Sequence, residues 1–269
     1  MLMQSRRTRP ASFALAAAAL LALVSTAGCD IVTADLKHTA TADWKKSFTL
    51  ASGGRVEIEN VNGRIHVTPS DGGEVEVVAR KTAKAVSEEA AKEALDRIEI
   101  RDSVSGATIH VETKTPRSNG IFNGSSEVAY TVRVPAGADV KFVTVNGGIE
   151  ISRLNGKIDA ETTNGAIVAR DVGGPVDATT TNGGVDVELT AVAKGGVKLG
   201  CTNGGIRLRL PADAAANISV SVANGGIQAD GLQLEKTESS RRSLEARMNG
   251  GGPPIRIEGT NGGIRISSR

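Results

Sequence analysis

The chain has 269 residues, enough to bury a sizeable core, and carries 32 glycines against four Phe, one Tyr and one Trp. Any core must therefore be built in thin layers from Val, Ile, Leu and Ala, which excludes a bulky aromatic interior. The net charge of +2 comes from Arg6, Arg7 and Arg9 in the first 28 residues; the remainder is near neutral, which excludes a basic footprint for nucleic acid or for an anionic membrane surface.

Residues 1–28 read as a signal peptide: a positive start, an apolar run from Phe13 to Val24, and small residues Ser25 to Gly28 before Cys29. The apolar run is about half of the roughly 20 residues that a transmembrane helix needs. Thr26-Ala27-Gly28-Cys29 resembles the lipobox of bacterial lipoproteins, with Thr26 where that motif prefers Leu. The resemblance implies export, cleavage before Cys29 and diacylation of its sulfur. Two acyl chains suffice for stable anchoring to a membrane, and the expected address is the cell envelope, on the periplasmic face. With Cys29 acylated, Cys201 has no intramolecular partner and no disulfide framework is implied.

Residues 29–47 are polar without a sustained period and are expected to form a tether. Over residues 48–135 short strands are expected at Val56 to Glu59, Arg64 to Thr68, Glu74 to Ala79, Ile98 to Arg101, Ala107 to Lys114 and Val128 to Val134. One helix is expected at 81–97, where Val86, Ala90, Ala94 and Leu95 fall near helical spacing; it would cap the open end of the fold or pack along a sheet. Thr115 to Ser126, rich in Gly, Asn and Ser, reads as a loop.

Residues 136–269 repeat one phrase: VNGGIEI, LNGKIDA, TNGAIVA, TNGGVDV, TNGGIRL, ANGGIQA and TNGGIRI, with an outlying copy, VNGRIHV, at 61–67. Asn146, Asn155, Asn164, Gly173 and Asn182 are nine residues apart, the length of one turn plus one short strand. Two such steps make an 18-residue coil, so Asn146, Asn164 and Asn182 mark one edge; Asn203 and Asn224, each 21 residues on, continue it with small insertions on the far side. Asn-Gly makes a tight corner. After each corner apolar residues alternate with polar ones, as in Ile206 and Leu208 around Arg207, giving a strand with one face inside. The expected fold is all-β, a solenoid akin to a parallel β-helix or roll with two short strands per coil and one helix in the N-terminal half. Its structural residues are Asn146, Asn155, Asn164, Asn182, Asn203, Asn224 and Asn261, whose stacked amides can form a hydrogen-bonded ladder. Lys236 to Arg247 interrupts the pattern and reads as an irregular charged excursion.

Little of this resembles an active site. No H-E-x-x-H, C-x-x-C, G-x-S-x-G or phosphate loop occurs, and His38, His66 and His110 are scattered. Gly-rich nonapeptides that bind Ca²⁺ need an Asp after a G-G-x-G run, which these repeats lack. Outward Glu150, Asp159, Asp177 and Asp186 hold a routine strand position shared with Arg207 and Gln228, and read as a solvated face; Cys201 reads as a small filler. No catalytic residue, metal or cofactor is expected. The order of exported leader, strands, one Ala- and Glu-rich helix, the strand ending Val134-Pro135-Ala136-Gly137 and serial N-G-G-I strands resembles the bacterial DUF4097 group of candidate adhesins over roughly residues 48–269. The resemblance implies a non-enzymatic, lipid-anchored scaffold for an envelope polymer or protein. An envelope-stress accessory partnering a membrane regulator is the second reading, and a polysaccharide-active β-helix enzyme a remote third.

Overall fold

The computed structural model describes residues 36–115 and 124–269. The expected signal peptide, Cys29, the start of the expected tether and residues 116–123 of the expected loop lie outside the described residues. In chain order the strands are β1 His38–Thr49, β2 Arg55–Glu59, β3 Ile65–Ser70 and β4 Glu74–Ala85, then helix α1 Glu88–Asp96, then β5 Glu99–Ser105, β6 Thr108–Lys114, β7 Ser125–Pro135, β8 Asp139–Asn146, β9 Ile149–Ser152, β10 Ile158–Asn164 and β11 Ile167–Val172. They continue as β12 Val176–Asn182, β13 Val185–Leu189, β14 Val197–Asn203, β15 Ile206–Leu210, β16 Ala216–Asn224, β17 Ile227–Asp230, β18 Leu234–Ser239, β19 Ser243–Met248, β20 Pro254–Asn261 and β21 Ile264–Ser268.

The protein is a nearly all-β solenoid whose two sheets face each other. A ten-stranded sheet A has the order β1-β4-β7-β3-β9-β11-β13-β15-β21-β17, and an eleven-stranded sheet B has the order β18-β19-β16-β20-β14-β12-β10-β8-β2-β6-β5. Each repeat runs up sheet B, turns at its Asn-Gly corner and continues in sheet A. Ile149, Ile151, Val185, Val187, Ile206 and Leu208 of sheet A are buried against Ile158, Ala160, Val176, Ala178, Val197 and Leu199 of sheet B. Each fully buried Val or Ile contributes about 1.5–3 kcal/mol, and no coil could bury its row alone. Tyr130 of sheet A reaches Thr113 of sheet B across this core, hydroxyl to hydroxyl at 2.7 Å; burial pushes the Tyr130 phenol up to about 12.

The coils are not stacked in chain order. At the C-terminal end β20 lies between β14 and β16, and β21 between β15 and β17, parallel to both neighbours. The last repeat is thus wedged between the two that precede it. At the other end β2–β3 is wedged in the same way, between β6–β7 and β8–β9. The segment feeding the last coil explains its glycines. Asn249 fixes the crossing by donating to the carbonyls of Ala212 and Ala214 at 3.0 and 2.8 Å. Gly250 and Gly251 follow at φ +83° and +87°, and a Cβ on Gly252 would stand 2.6 Å from the Ala215 carbonyl oxygen.

Four expectations are corrected here. His38 to Ser47 is not tether: it is most of β1, paired antiparallel along the whole of β4, with Ala40, Ala42 and Trp44 alternating half-buried. The helix is shorter than 81–97, because Ala83 and Ala85 continue the buried alternation of β4; α1 begins after Ser87, whose Oγ accepts from Ala90 N at 3.2 Å as an N-cap. Ser125 and Ser126 open β7 and are not loop. The charged excursion at 236–247 is the antiparallel hairpin β18–β19, laid on β16 so that it covers that end of sheet B.

Candidate functional site

The solenoid's most regular surface is its Asn edge. Asn62, Asn146, Asn164, Asn182, Asn203, Asn261 and Asn224 stack in that spatial order, each amide donating to the side-chain carbonyl of the one before, at 2.7, 2.8, 2.9, 2.9, 2.8 and 3.0 Å. Three points differ from the sequence reading. Asn261 stands between Asn203 and Asn224, and the outlying copy at Asn62 starts the row. Asn155 is not in it: the odd half-coil puts Asn155 on the opposite edge, where its backbone N–H donates to the Ala136 carbonyl at 2.6 Å. The ladder amides are exposed, so water competes for each bond and its net worth is about 0.5–1.5 kcal/mol. Asn164→Leu, which breaks two such bonds, is expected to cost about 1 kcal/mol and, by the usual scaling for a domain of this size, lower Tm by about 2–4 °C; thermal unfolding followed by circular dichroism checks this.

The residues on either side of each Asn set the corner. Two positions before it, inside sheet B, Thr162 and Thr180 donate to the carbonyls of Gly147 and Gly165 in the adjacent coil, both at 2.9 Å, and Thr144 reaches Gly63 at 3.4 Å. Cys201 holds the same place: its thiol, pushed up by burial, donates to the Gly183 carbonyl at 3.2 Å. This is the filler role expected for it.

Two shallow troughs flank the Asn ridge. On sheet B, Thr181, Thr202 and Thr260 stand directly before the Asn row, and with Thr179, Ser221, Glu161 and Glu258 they line a hydroxyl-rich depression of about 650 Å³. On sheet A a second trough of about 560 Å³ is floored by the backbone of Gly184, Gly205, Gly226 and Gly263 and walled by Val168, Asp186, Arg207, Arg265 and Gln228. Both volumes fall in the range of small-molecule sites, but these are open channels along the stack.

The outward carboxylates are each tied into the sheet surface. Asp186 takes Arg170 at 2.8 Å through both oxygens and Arg209 at 3.1 Å; the Arg170 guanidinium holds its carboxyl below the usual range. Asp177 meets Lys198 at 3.3 Å, Asp159 meets Arg55 at 3.6 Å, and Glu150 meets His66 at 3.2 Å. Arg209 and Arg269 also reach Glu188, at 3.3 and 3.0 Å. These charges tie strands together on both outer faces, Asp186, Glu150 and Glu188 on sheet A and Asp177 and Asp159 on sheet B. Among the described residues no group of three or more His, Cys, Asp or Glu is placed to hold a metal ion, and no helix is long and apolar enough to cross a membrane.

No curated protein matches the chain. Among solved structures, a candidate cell adhesion protein from Clostridium sporogenes aligns at 11% identity and a TM-score of 0.45, covering 85% of this chain and 100% of that one. A candidate adhesin from Bacteroides fragilis aligns at 12% identity and a TM-score of 0.37, covering 85% and 97%. A candidate lipid binding protein from Parabacteroides distasonis aligns at 11% identity and a TM-score of 0.29, covering 84% and 96%. Residues 137–267, the run of stacked coils from β8 to β21, match the family model Toastrack DUF4097.

Proposed function

We propose that the protein is a lipid-anchored, non-catalytic scaffold of the cell envelope that binds an envelope polymer along its Asn edge. The observation that carries this reading is the edge itself: seven stacked amides, flanked on both sides by open troughs whose polar groups recur at the strand spacing of ~4.8 Å. A surface with one repeat along one axis suits a partner that is also linear and periodic. The non-catalytic part is supported by the carboxylates: Asp177 and Asp186 each face a cation of a neighbouring strand and Asp159 one two strands away, where a glycoside-cleaving pair would instead face one bond of a substrate. The anchor rests on Arg6 to Cys29, where a basic start, an apolar run and small residues precede the cysteine.

Two measurements test the proposal. Cys29→Ala is expected to move the protein from the membrane fraction to the soluble fraction; retention in membranes would show that acylation is not the anchor. Recovery of envelope polysaccharide with the intact tagged protein supports the scaffold, and recovery of a membrane regulator without polymer would replace it with the accessory role.

A further inference from the structure

The wedged position of the last coil brings together two arginines that no stacking in chain order would pair. Arg207 of β15 and Arg265 of β21 are direct register partners on adjacent parallel strands, both outward and both in the wall of the sheet A trough. Like charges placed so are unfavourable, and the surroundings do little to relieve them. Asp186, the next wall residue, is already held by Arg170 and Arg209. Arg265 leans away from Arg207, toward Gln228 at 2.8 Å and Asp230 at 3.4 Å. Arg207 has no hydrogen bond or ion pair among the described residues, and its register partner on the other side, Asp186, gives it only a longer-range attraction shared with Arg170 and Arg209. At the end of the trough a third cation, Arg241, lies along the floor, its Nε 3.9 Å from where a Cβ of Gly226 would stand. Two like charges held side by side in one trough, only partly compensated, make a local cost of the kind that functional sites carry.

We propose that this trough binds a linear glycan carrying carboxylates, with Arg207 and Arg265 as the anion-binding pair and Arg241 at the end of the track. Guanidinium groups take carboxylates through paired, charge-assisted hydrogen bonds, and two neighbouring strands present two of them side by side. The choice of a glycan follows from what surrounds the pair. The floor is backbone, the ridge is a row of amides, and the apolar side chains open to the trough are only Ala166 and Val168, so hydroxyl-bearing units find partners and large peptide side chains find no deep apolar pocket.

The inference rests on the reading of the protein as a polymer-binding scaffold, and the test separates the two. The intact protein is titrated with polygalacturonate, with neutral dextran of matched length and with polyglutamate. Wild type is expected to bind polygalacturonate at least tenfold more tightly than either of the others. Arg207→Gln combined with Arg265→Gln is expected to remove at least tenfold of that affinity while leaving Tm unchanged or slightly raised, because the repulsion goes with the charges. Arg256→Gln, on the opposite sheet, is expected to bind as wild type does. Equal binding of polyglutamate, no preference over dextran, or an equal loss in Arg256→Gln would each overturn the inference. In any of those cases recovery of another envelope polymer by the wild type would still leave the scaffold reading standing.

Discussion

A chain ending at Asn249 is expected to lose the folded structure of residues 211–249 as well as the coil that was removed. In a solenoid stacked in chain order, deleting the last repeat removes one terminal unit and one interface. Here the deleted strands β20 and β21 are interior, and both faces of the coil carry contacts. Ile255, Ile257, Ile264 and Ile266 are buried; at about 1.5–3 kcal/mol each, their loss is of the same order as the whole stability of a typical domain, about 5–15 kcal/mol. On the far side, β16 and β17 would lose their parallel partners and retain only the β18–β19 hairpin, and a small antiparallel assembly of this kind is marginal by itself. Limited proteolysis reads the result directly. Cleavage is expected between Pro211 and Asn249, with the coils from β8 to β13 still protected. Continued protection of residues 216–249 would instead show that β16 can close onto β14 and join Asn203 to Asn224, so that the wedge is not needed for the fold.

That alternative closure is also the reason the sequence is only partly legible. The corner residues, the alternation after each corner and the 18- and 21-residue coils can all be read from the chain, because each is a local consequence of Asn-Gly geometry and period-two burial. The spatial order of the coils cannot. Every repeat offers its neighbours the same Asn, the same glycine corner and the same apolar row, so a junction from Asn203 to Asn261 satisfies the same rules as one from Asn203 to Asn224. One signal was present: Gly250-Gly251-Gly252-Pro253 is too flexible and too poor in donors to be a strand, and it precedes the last repeat where the chain must cross over its neighbour. The candidate site shares this limit. Thr202, Asn203 and Gly205 are visible as members of the repeat, but the pairing of Arg207 with Arg265 exists only once the last coil is wedged in place. The misread start of β1 has a different cause: Ala40, Ala42 and Trp44 do alternate, but two of the three are too small to stand out among Lys, Thr and Asp.

The paired glycines of a single corner are expected to behave in opposite ways. Gly204 has φ +148°, and a Cβ built on it would stand 1.6 Å from the Gly183 carbonyl oxygen of the adjacent coil. Gly205, one residue on, has a backbone open to ordinary side chains, and its Cβ would lie 3.4 Å from the Gly263 carbonyl oxygen, an ordinary contact. The first glycine of the corner is thus stacked on its neighbours through the carbonyls that Thr162, Thr180 and Cys201 bind, whereas the second only floors the trough. The repeat itself follows this division. The second place accepts Arg64 and Ala166, while Gly63, Gly147, Gly165, Gly183, Gly204, Gly262 and Gly225 fill the first. Gly204→Ala must push two coils apart or shift the corner, and at an interior coil either one opens the ladder from both sides. Overpacking of a tight core typically costs about 1–3 kcal/mol, and a backbone clash that no rotamer can relieve, added to a positive φ that Ala disfavours, is expected to exceed about 3 kcal/mol. Gly205→Ala is expected to change stability by less than about 0.5 kcal/mol, and by adding methyl bulk to the floor between Arg207 and the Asn ridge it should weaken polygalacturonate binding without unfolding anything. Urea denaturation of the two variants decides the matter: similar losses of stability would mean that both glycines serve the turn, and the trough would no longer be a separable feature of the repeat.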